Sequence, residues 1–310
     1  MVRFLYILTG HLKNDVRTRN VDKDTGSNDR GRTHLSIKVA FALRLQPAQP
    51  MAIEKSLQIA SYNCRGWTSG SRYVNDLLPE CDILCLQEHW LLQEHLDSLS
   101  TVKEFDFLYT AVSGVDSSQL LYGRPYDGCA ILYRKSLSSA VLIGPKSPSR
   151  RFCCLKLTPI DHKTILLVCV YLPTDYGNDF SKQDLIYTLG ELARYILANP
   201  TDELMIVGDF NVDFNRSQSQ FTMTLSQFMY DHGLVAADQF FAHKSPYTYE
   251  SDSGVGHSWI DRTLISRTGG CHVSDVSLVH SGSNLSDHSP MICTIIGVVG
   301  WGLEVLRNPQ

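Results

Sequence analysis

No hydrophobic run in the 310 residues approaches the length of a bilayer span, so no helical membrane anchor is expected. There is also no C-x-x-C pair. The nine cysteines form an odd set, and Cys81, Cys85, Cys129, Cys153, Cys154, Cys169 and Cys293 lie in apolar, strand-like stretches. That pattern argues against a disulfide framework and for reduced thiols packed in a core. Cys81 and Cys85 are spaced to share one face of a strand, yet no Cys/His pair nearby completes a zinc set. A basic excess is lacking too. The formal charge is −4, and since residues 1–50 hold nine Lys/Arg against four Asp/Glu, the remaining chain is more acidic than the whole. A passive nucleic-acid binder carries the opposite sign. Contact with phosphates would need a local groove in which bound cations offset the carboxylates. The start, MVRFLYILTGH, has a charge and a short apolar patch but no small-residue cleavage site, and reads as a poor signal peptide. The expected location is intracellular, nuclear or cytoplasmic, off the membrane and with no obligate protein partner.

What is present is a globular composition, 43% hydrophobic and 10% aromatic. Residues 11–34 are polar and charged, so 1–55 is expected to be a disordered extension. One domain is expected over 56–297, with no internal repeat and no Pro/Gly-rich linker, and then a short tail over 298–310. Strand-like runs recur at 57–63, 82–88, 107–112, 128–135, 151–158, 164–172, 204–209, 258–266, 271–281 and 288–296. Helical periodicity appears in 180–199, where Leu185, Leu189, Leu192 and Ile196 recur at three- and four-residue steps, and more weakly in 218–232. Shorter helices are expected over 71–78 and 91–102. Several strands are apolar on both faces and need cover on both sides. Two packed sheets with helices outside each satisfy that demand. The long polar loop 113–127 has a length that is more often functional than accidental.

Residues 204–211, LMIVGDFN, form an apolar run that ends in Gly208, Asp209, Phe210 and Asn211. Gly208 is expected to turn the chain. Asp209 and Asn211, at i and i+2, leave a strand on one side and can face one point. Other apolar runs finish the same way: Asn63 closes IASYN, Glu88 closes DILCLQE, Tyr171 ends ILLVCVY, and Asp287 and His288 stand before PMICTII. Asp261 sits among apolar neighbours in WIDRTLI, where an ionised carboxylate needs a partner. Each has a plain structural reading. Asn63 suits a turn, Glu88 a solvated strand end, Asp261 a salt bridge with Arg262, and His288 a satisfied structural histidine. Their joint occurrence suits phosphodiester hydrolysis. Glu88, Asp287 and Asn63 offer hard oxygen ligands for magnesium, too few for a closed cage. Asp209, held by Asn211, would orient or deprotonate the attacking water. Asp261 would fix His288 in one tautomer and favour its cation, and Tyr171 would donate to the phosphate.

In order, YNCRGW, LQEHW, VYLP, GDFNVD, WIDRTLIS and SDHSP resemble the signature of the endonuclease/exonuclease/phosphatase superfamily, which includes pancreatic deoxyribonuclease and the apurinic-site endonucleases. The wording is most similar to the endonuclease domains of non-LTR (LINE-type) retrotransposons, which nick target DNA to prime reverse transcription. The resemblance implies an α+β fold, a four-layer αββα sandwich of two packed mixed sheets flanked by helices, and magnesium-dependent cleavage of DNA, with manganese able to substitute. It places Asn63, Glu88 and Asp287 on the metal side and Tyr171 against the phosphate. Asp209 and Asn211 match its water-activating pair, and Asp261 and His288 its Asp/His dyad. Thr248 and Ser286 match accessory polar positions. Two other readings stand beside a DNA endonuclease. Trp259-Ile-Asp-Arg262 is similar to the W-x-D-R string of inositol polyphosphate phosphatases of the same fold. Those enzymes usually carry a basic or aromatic residue after GD-x-N, however, where this chain has Val212-Asp213. The other is an inactive DNA- or protein-binding module or a mobile-element fragment, since no reverse-transcriptase segment stands after residue 297.

Overall fold

In the computed structural model, residues 56–296 are described apart from 102–105, 116–120, 122, 159–162, 242–244 and 268–271. The expected extension 1–55 and tail 298–310, Cys271 and parts of the loops 113–127 and 241–257 lie outside the described residues. In chain order the first half runs β1 (Leu57–Asn63), α1 (Trp67–Leu77), β2 (Ile83–Gln87), β3 (Phe107–Val112), β4 (Cys129–Arg134), β5 (Val141–Ile143), β6 (Phe152–Leu157) and β7 (Ile165–Tyr171). The second half runs α2 (Asp179–Ala198), β8 (Glu203–Asp209), α3 (Gln220–Asp231), β9 (Leu234–Ala236), β10 (Tyr249–Glu250), β11 (His257–Ser258), β12 (Asp261–Ser266), β13 (His272–Leu278) and β14 (Met291–Ile296).

Two six-stranded sheets result, ordered β13-β14-β1-β2-β4-β3 and β5-β6-β7-β8-β12-β9, with β10 and β11 forming a separate ribbon. Each is mixed. Within them β1 and β2 run parallel, as do β7 and β8, while the other pairings are antiparallel. The apolar runs that lack alternation are explained by burial on both faces. In β7, Ile165, Leu167, Cys169 and Tyr171 enter the core between the sheets, whereas Leu166, Val168 and Val170 face the outer core. Strand β1 divides in the same way, with Leu57 and Ile59 inward and Ala60 and Tyr62 outward.

Helices cover both outer faces. α2 starts at Asn178, whose side chain accepts the Ser181 N–H at 2.9 Å, and it buries Leu185, Leu189, Leu192 and Tyr195 against the second sheet. Fully burying each leucine contributes about 2 kcal/mol. α3 adds Phe221, Leu225 and Phe228 to that core, and α1 covers the first sheet with Tyr73, Val74 and Leu77. The expected αββα sandwich is therefore the observed architecture.

Four local expectations change. Gly208 lies inside β8, opposite Val170 and Arg262, and the chain leaves the strand only after Asp209. A Cβ on it would stand 2.0 Å from the Val170 carbonyl oxygen, so the glycine serves close strand approach rather than a turn. The run 258–266 is divided, with its first residue paired in the ribbon and β12 starting at Asp261. The helix expected over 91–102 is a 3₁₀ segment over Gln93–Thr101. Cys81 precedes β2 and packs under α1, while Cys85 faces the inter-sheet core, so they do not share a face. All eight described cysteines are free and buried.

Candidate active site

Strand register brings the polar ends together. Tyr171 and Asp209 are partners across the parallel β7/β8 pair, and Asp209 and Asp261 across the antiparallel β8/β12 pair. Three of the expected site residues thus stand side by side on one sheet. The other sheet supplies Asn63 at the end of β1, Glu88 just past β2, and Asp287 and His288 just before β14. An amide joins the two groups: Asn63 Nδ2 donates to Glu88 Oε1 at 2.8 Å and to Asp209 Oδ2 at 3.0 Å, and lies 3.5 Å from His288 Nε2. Its Oδ1 accepts the Arg65 N–H at 3.2 Å.

Asp209 is 1% exposed and is held on its other oxygen by the Asn211 N–H at 2.9 Å. Asn211 takes φ +52 and donates Nδ2 to the Leu172 carbonyl at 2.8 Å, which fixes the turn after β8. His288 has Nδ1 at 2.8 Å from Asp261 Oδ2 and Nε2 at 3.7 Å from Asp209 Oδ2. Burial works against its cation, but Asp261 and then Asp209 more than offset this and raise it to about 10. Asp209 is raised in turn, chiefly by burial, to about 7, against the pull of His288. Near neutral pH such a carboxylate is poised to take a proton. Burial, then the Glu88 and Asp209 carboxylates, push the Tyr171 phenol far above its ordinary range, so it stays a donor.

The accessory positions Thr248 and Ser286 both bond to backbone of the expected site residues or their neighbours. Thr248 Oγ1 accepts the Ile260 and Asp261 N–H groups at 3.1 and 3.0 Å, and Ser286 Oγ donates to the Asn63 carbonyl at 2.7 Å while accepting the His288 N–H at 3.2 Å. They hold the dyad and Asn63 in place. The alternative pairing of Asp261 with Arg262 does not form. Arg262 points the other way and donates to Asp238 Oδ2 at 2.7 Å, as Trp259 Nε1 does at 3.0 Å, so the Trp and Arg of W-x-D-R brace β12 from behind.

Several contributors were not singled out from the sequence. Trp90 Nε1 donates to Glu88 Oε2 at 3.1 Å, and Arg124 lies 4.2 Å from the Trp90 ring centroid. Arg65 makes a bidentate pair with Asp252 at 2.6 and 2.8 Å and stands 3.5 Å from Asp287. Arg65, Glu88 and Trp90 all have positive φ, at 48, 54 and 56. Such backbone in non-glycine residues is costly and concentrates at functional sites. Trp90 lies within LQEHW, but nothing in sequence spacing shows that its indole N–H returns to Glu88. These residues open on a cleft of about 360 Å³ that also holds Tyr171, Asp209, Asn211, Arg216, Asp287 and His288.

The donor chemistry suits a hard divalent cation. Four carboxylates, Glu88, Asp209, Asp261 and Asp287, gather around one imidazole and an Arg65 already forked onto Asp252. Asp209, Asp261 and His288 place ligand atoms within 4.8 Å of one another and form one possible set. Glu88 and Asp287 line the cleft and offer oxygens of their own, with the buried Asn63 behind them, its Nδ2 on Glu88 and its Oδ1 on the Arg65 N–H.

The family described as Endonuclease/Exonuclease/phosphatase matches residues 60–288, and the chain belongs to it. Solved structures with this fold include a 3′ phosphatase from Neisseria bound to product DNA hairpin, at 20% identity and TM-score 0.56, with 76% of this chain and 98% of that one covered. The AP endonuclease of Leishmania major aligns at 16% identity and TM-score 0.62 over 78% of this chain and 88% of its own. An AP endonuclease from Archaeoglobus fulgidus aligns at 16% and 0.57 over 76% and 98%. No protein of curated function matches the sequence.

Proposed function

We propose that the chain is a metal-dependent phosphodiesterase, a DNA endonuclease, whose domain spans 56–297. The observation that carries this reading is the Asn63 amide, which ties the Glu88 side of the cleft to the Asp209 and His288 side within hydrogen-bond reach. Glu88 and Asp287 would hold the metal, magnesium by choice of ligand, with manganese able to substitute, and Asn63 on the metal side would orient Glu88 through its Nδ2. We prefer them to the Asp209, Asp261 and His288 set because His288 Nδ1 and Asp261 are already spent on each other. When bound, the cation supplies Lewis acidity at a phosphate oxygen and charge for the leaving oxygen.

The chain's own residues do the rest. Asp209, held by Asn211, takes a proton from the attacking water. His288, kept cationic by Asp261, meets the charge that develops on the phosphoryl oxygens, and Tyr171 donates to the same group. Fold neighbours described as AP endonucleases and a DNA-bound 3′ phosphatase support DNA as substrate. The wording of the motifs supports nicking of target DNA as in LINE-type elements. Against the inositol phosphate reading, the W-x-D-R arginine is 3% exposed and engaged with Asp238, away from the cleft.

The test is incubation of the purified chain with supercoiled plasmid and with a soluble inositol phosphate, in magnesium or EDTA. Open-circle product in magnesium alone is expected. Phosphate release without nicking would move the assignment to the phosphatase, and no turnover of either substrate would leave a binding module.

A further inference from the structure

Trp90 is built into the site from two sides. Its indole N–H reaches Glu88, and one edge of its ring packs where Gly66 has no side chain: a Cβ there would fall 2.5 Å from Trp90 Cε3. Backbone bonds from Gly66 N to the Glu88 carbonyl at 2.7 Å, and from Trp90 N to the Asp127 carbonyl at 3.0 Å, hold both strands of this corner. Arg124 then lies over the indole, 4.2 Å from its centroid, with its own side chain exposed. The ring quadrupole holds the guanidinium there, and the exposed plane of Arg124 is left able to meet a partner of negative charge or π character.

The pair stands at a junction. Trp90 and Arg124 line the catalytic cleft and also a second cavity of about 460 Å³, whose other walls include Trp67, Leu91, Leu92 and Pro125. That cavity is mainly apolar, unlike the cleft. A polar, carboxylate-lined site for a phosphate, adjoining an apolar recess across a tryptophan-arginine cap, matches the alternation of phosphate and base along one nucleotide strand. The recess is roomier than one base requires.

Resting on the nuclease reading above, we propose that the Trp90–Arg124 pair is a stacking platform for an unpaired nucleobase next to the scissile phosphate, with the apolar recess receiving that base. The substrate is then a strand whose flanking base is out of the duplex, and cleavage is favoured at frayed, bulged or single-stranded positions. A base paired within the helix cannot reach the platform.

The test first maps one nick on a defined duplex. Oligonucleotides are then made with either an unpaired adenine or an abasic tetrahydrofuran at each position flanking that nick, and the cleavage-rate ratio of adenine to tetrahydrofuran is measured for the native chain and for Arg124→Ala. One aromatic or guanidinium stack is worth about tenfold. A ratio of about ten or more at one flank in the native chain, falling towards one in Arg124→Ala, is expected, with Arg124→Lys between them. Because each ratio is taken within one protein, loss of stability or of chemistry cancels. Equal ratios in the two proteins would overturn the platform. The same oligonucleotides are titrated in EDTA by fluorescence anisotropy. If no oligonucleotide is cut, an adenine preference in binding that Arg124→Ala removes supports the platform and refutes the nuclease reading, whereas no preference refutes the platform as well.

Discussion

His288 Nδ1 stands 2.8 Å from Asp261 Oδ2, with Asp261 opening β12 of one sheet and His288 just before β14 of the other, so the pair clasps the two sheets. Asp261→Asn removes the charge that keeps the imidazole cationic and leaves its shape. We expect plasmid nicking to fall by roughly 10²- to 10⁴-fold, the range for a positioned acid or base group. The high-pH limit of the rate should also move down. A pH profile of nicking in native and variant chains checks both.

Asp209→Ala and His288→Ala are each expected to abolish nicking while the fold survives, since both side chains sit at strand ends and neither fills the apolar cores. Far-ultraviolet circular dichroism should match the native chain, while the melting point falls in His288→Ala, which leaves Asp209 and Asp261 buried without their cation. Retained nicking by either variant would refute its assigned role.

Trp90→Phe keeps the ring and deletes the N–H to Glu88 Oε2. Groups that orient a metal ligand typically change metal affinity by about 10- to 100-fold. The magnesium concentration for half-maximal nicking should therefore rise by about that factor, with the rate at saturating magnesium much less affected. Titration of activity against magnesium tests this.

Gly208→Ala places a Cβ 2.0 Å from a backbone oxygen in the centre of the second sheet, at φ +147. Strand separation is the only relief. A loss of about 3 kcal/mol or more is expected by analogy with overpacked cores. Equilibrium urea unfolding would show it as a lower midpoint.

His89 is fully buried, with Nε2 donating to the Val112 carbonyl at 3.0 Å and Nδ1 accepting the Leu91 N–H at 3.0 Å. Burial lowers it from 6.5 to about 4. The unfolded chain therefore binds the proton first as pH falls. The histidine's contribution is complete above about pH 6.5 and is lost progressively towards pH 4, by on the order of 3 kcal/mol. Unfolding measured at pH 7.5 and pH 4.5 should show a smaller acid loss in His89→Gln than in the native chain.

The sandwich was legible because strands buried on both faces betray themselves as apolar runs without alternation, as in β1, which falls on the expected range; the half-buried edge strand β3 does so too, and α2 within one residue. Short elements escaped, since β5, β9 and β10 hold two or three residues and carry no period. Gly208 misled for a physical reason, as the same missing Cβ that permits a turn also permits a close strand. The strand-end set was readable because polar residues are costly there without a task. Trp90, Arg124 and His89 were not, because their roles depend on contacts between loops that no local spacing encodes.

The Asn63 amide spans a seam. Asn63 ends a strand of one sheet, with Glu88 and His288 just beyond its strands, and Tyr171, Asp209 and Asp261 stand on the other, so the proposed catalysis depends on how the two halves are registered. A slip of an ångström along that seam would separate the hydrogen-bonded groups before any strand melted. Heating or mild denaturant should accordingly silence the enzyme while its secondary structure is still whole, and activity becomes the finest gauge of alignment the molecule offers.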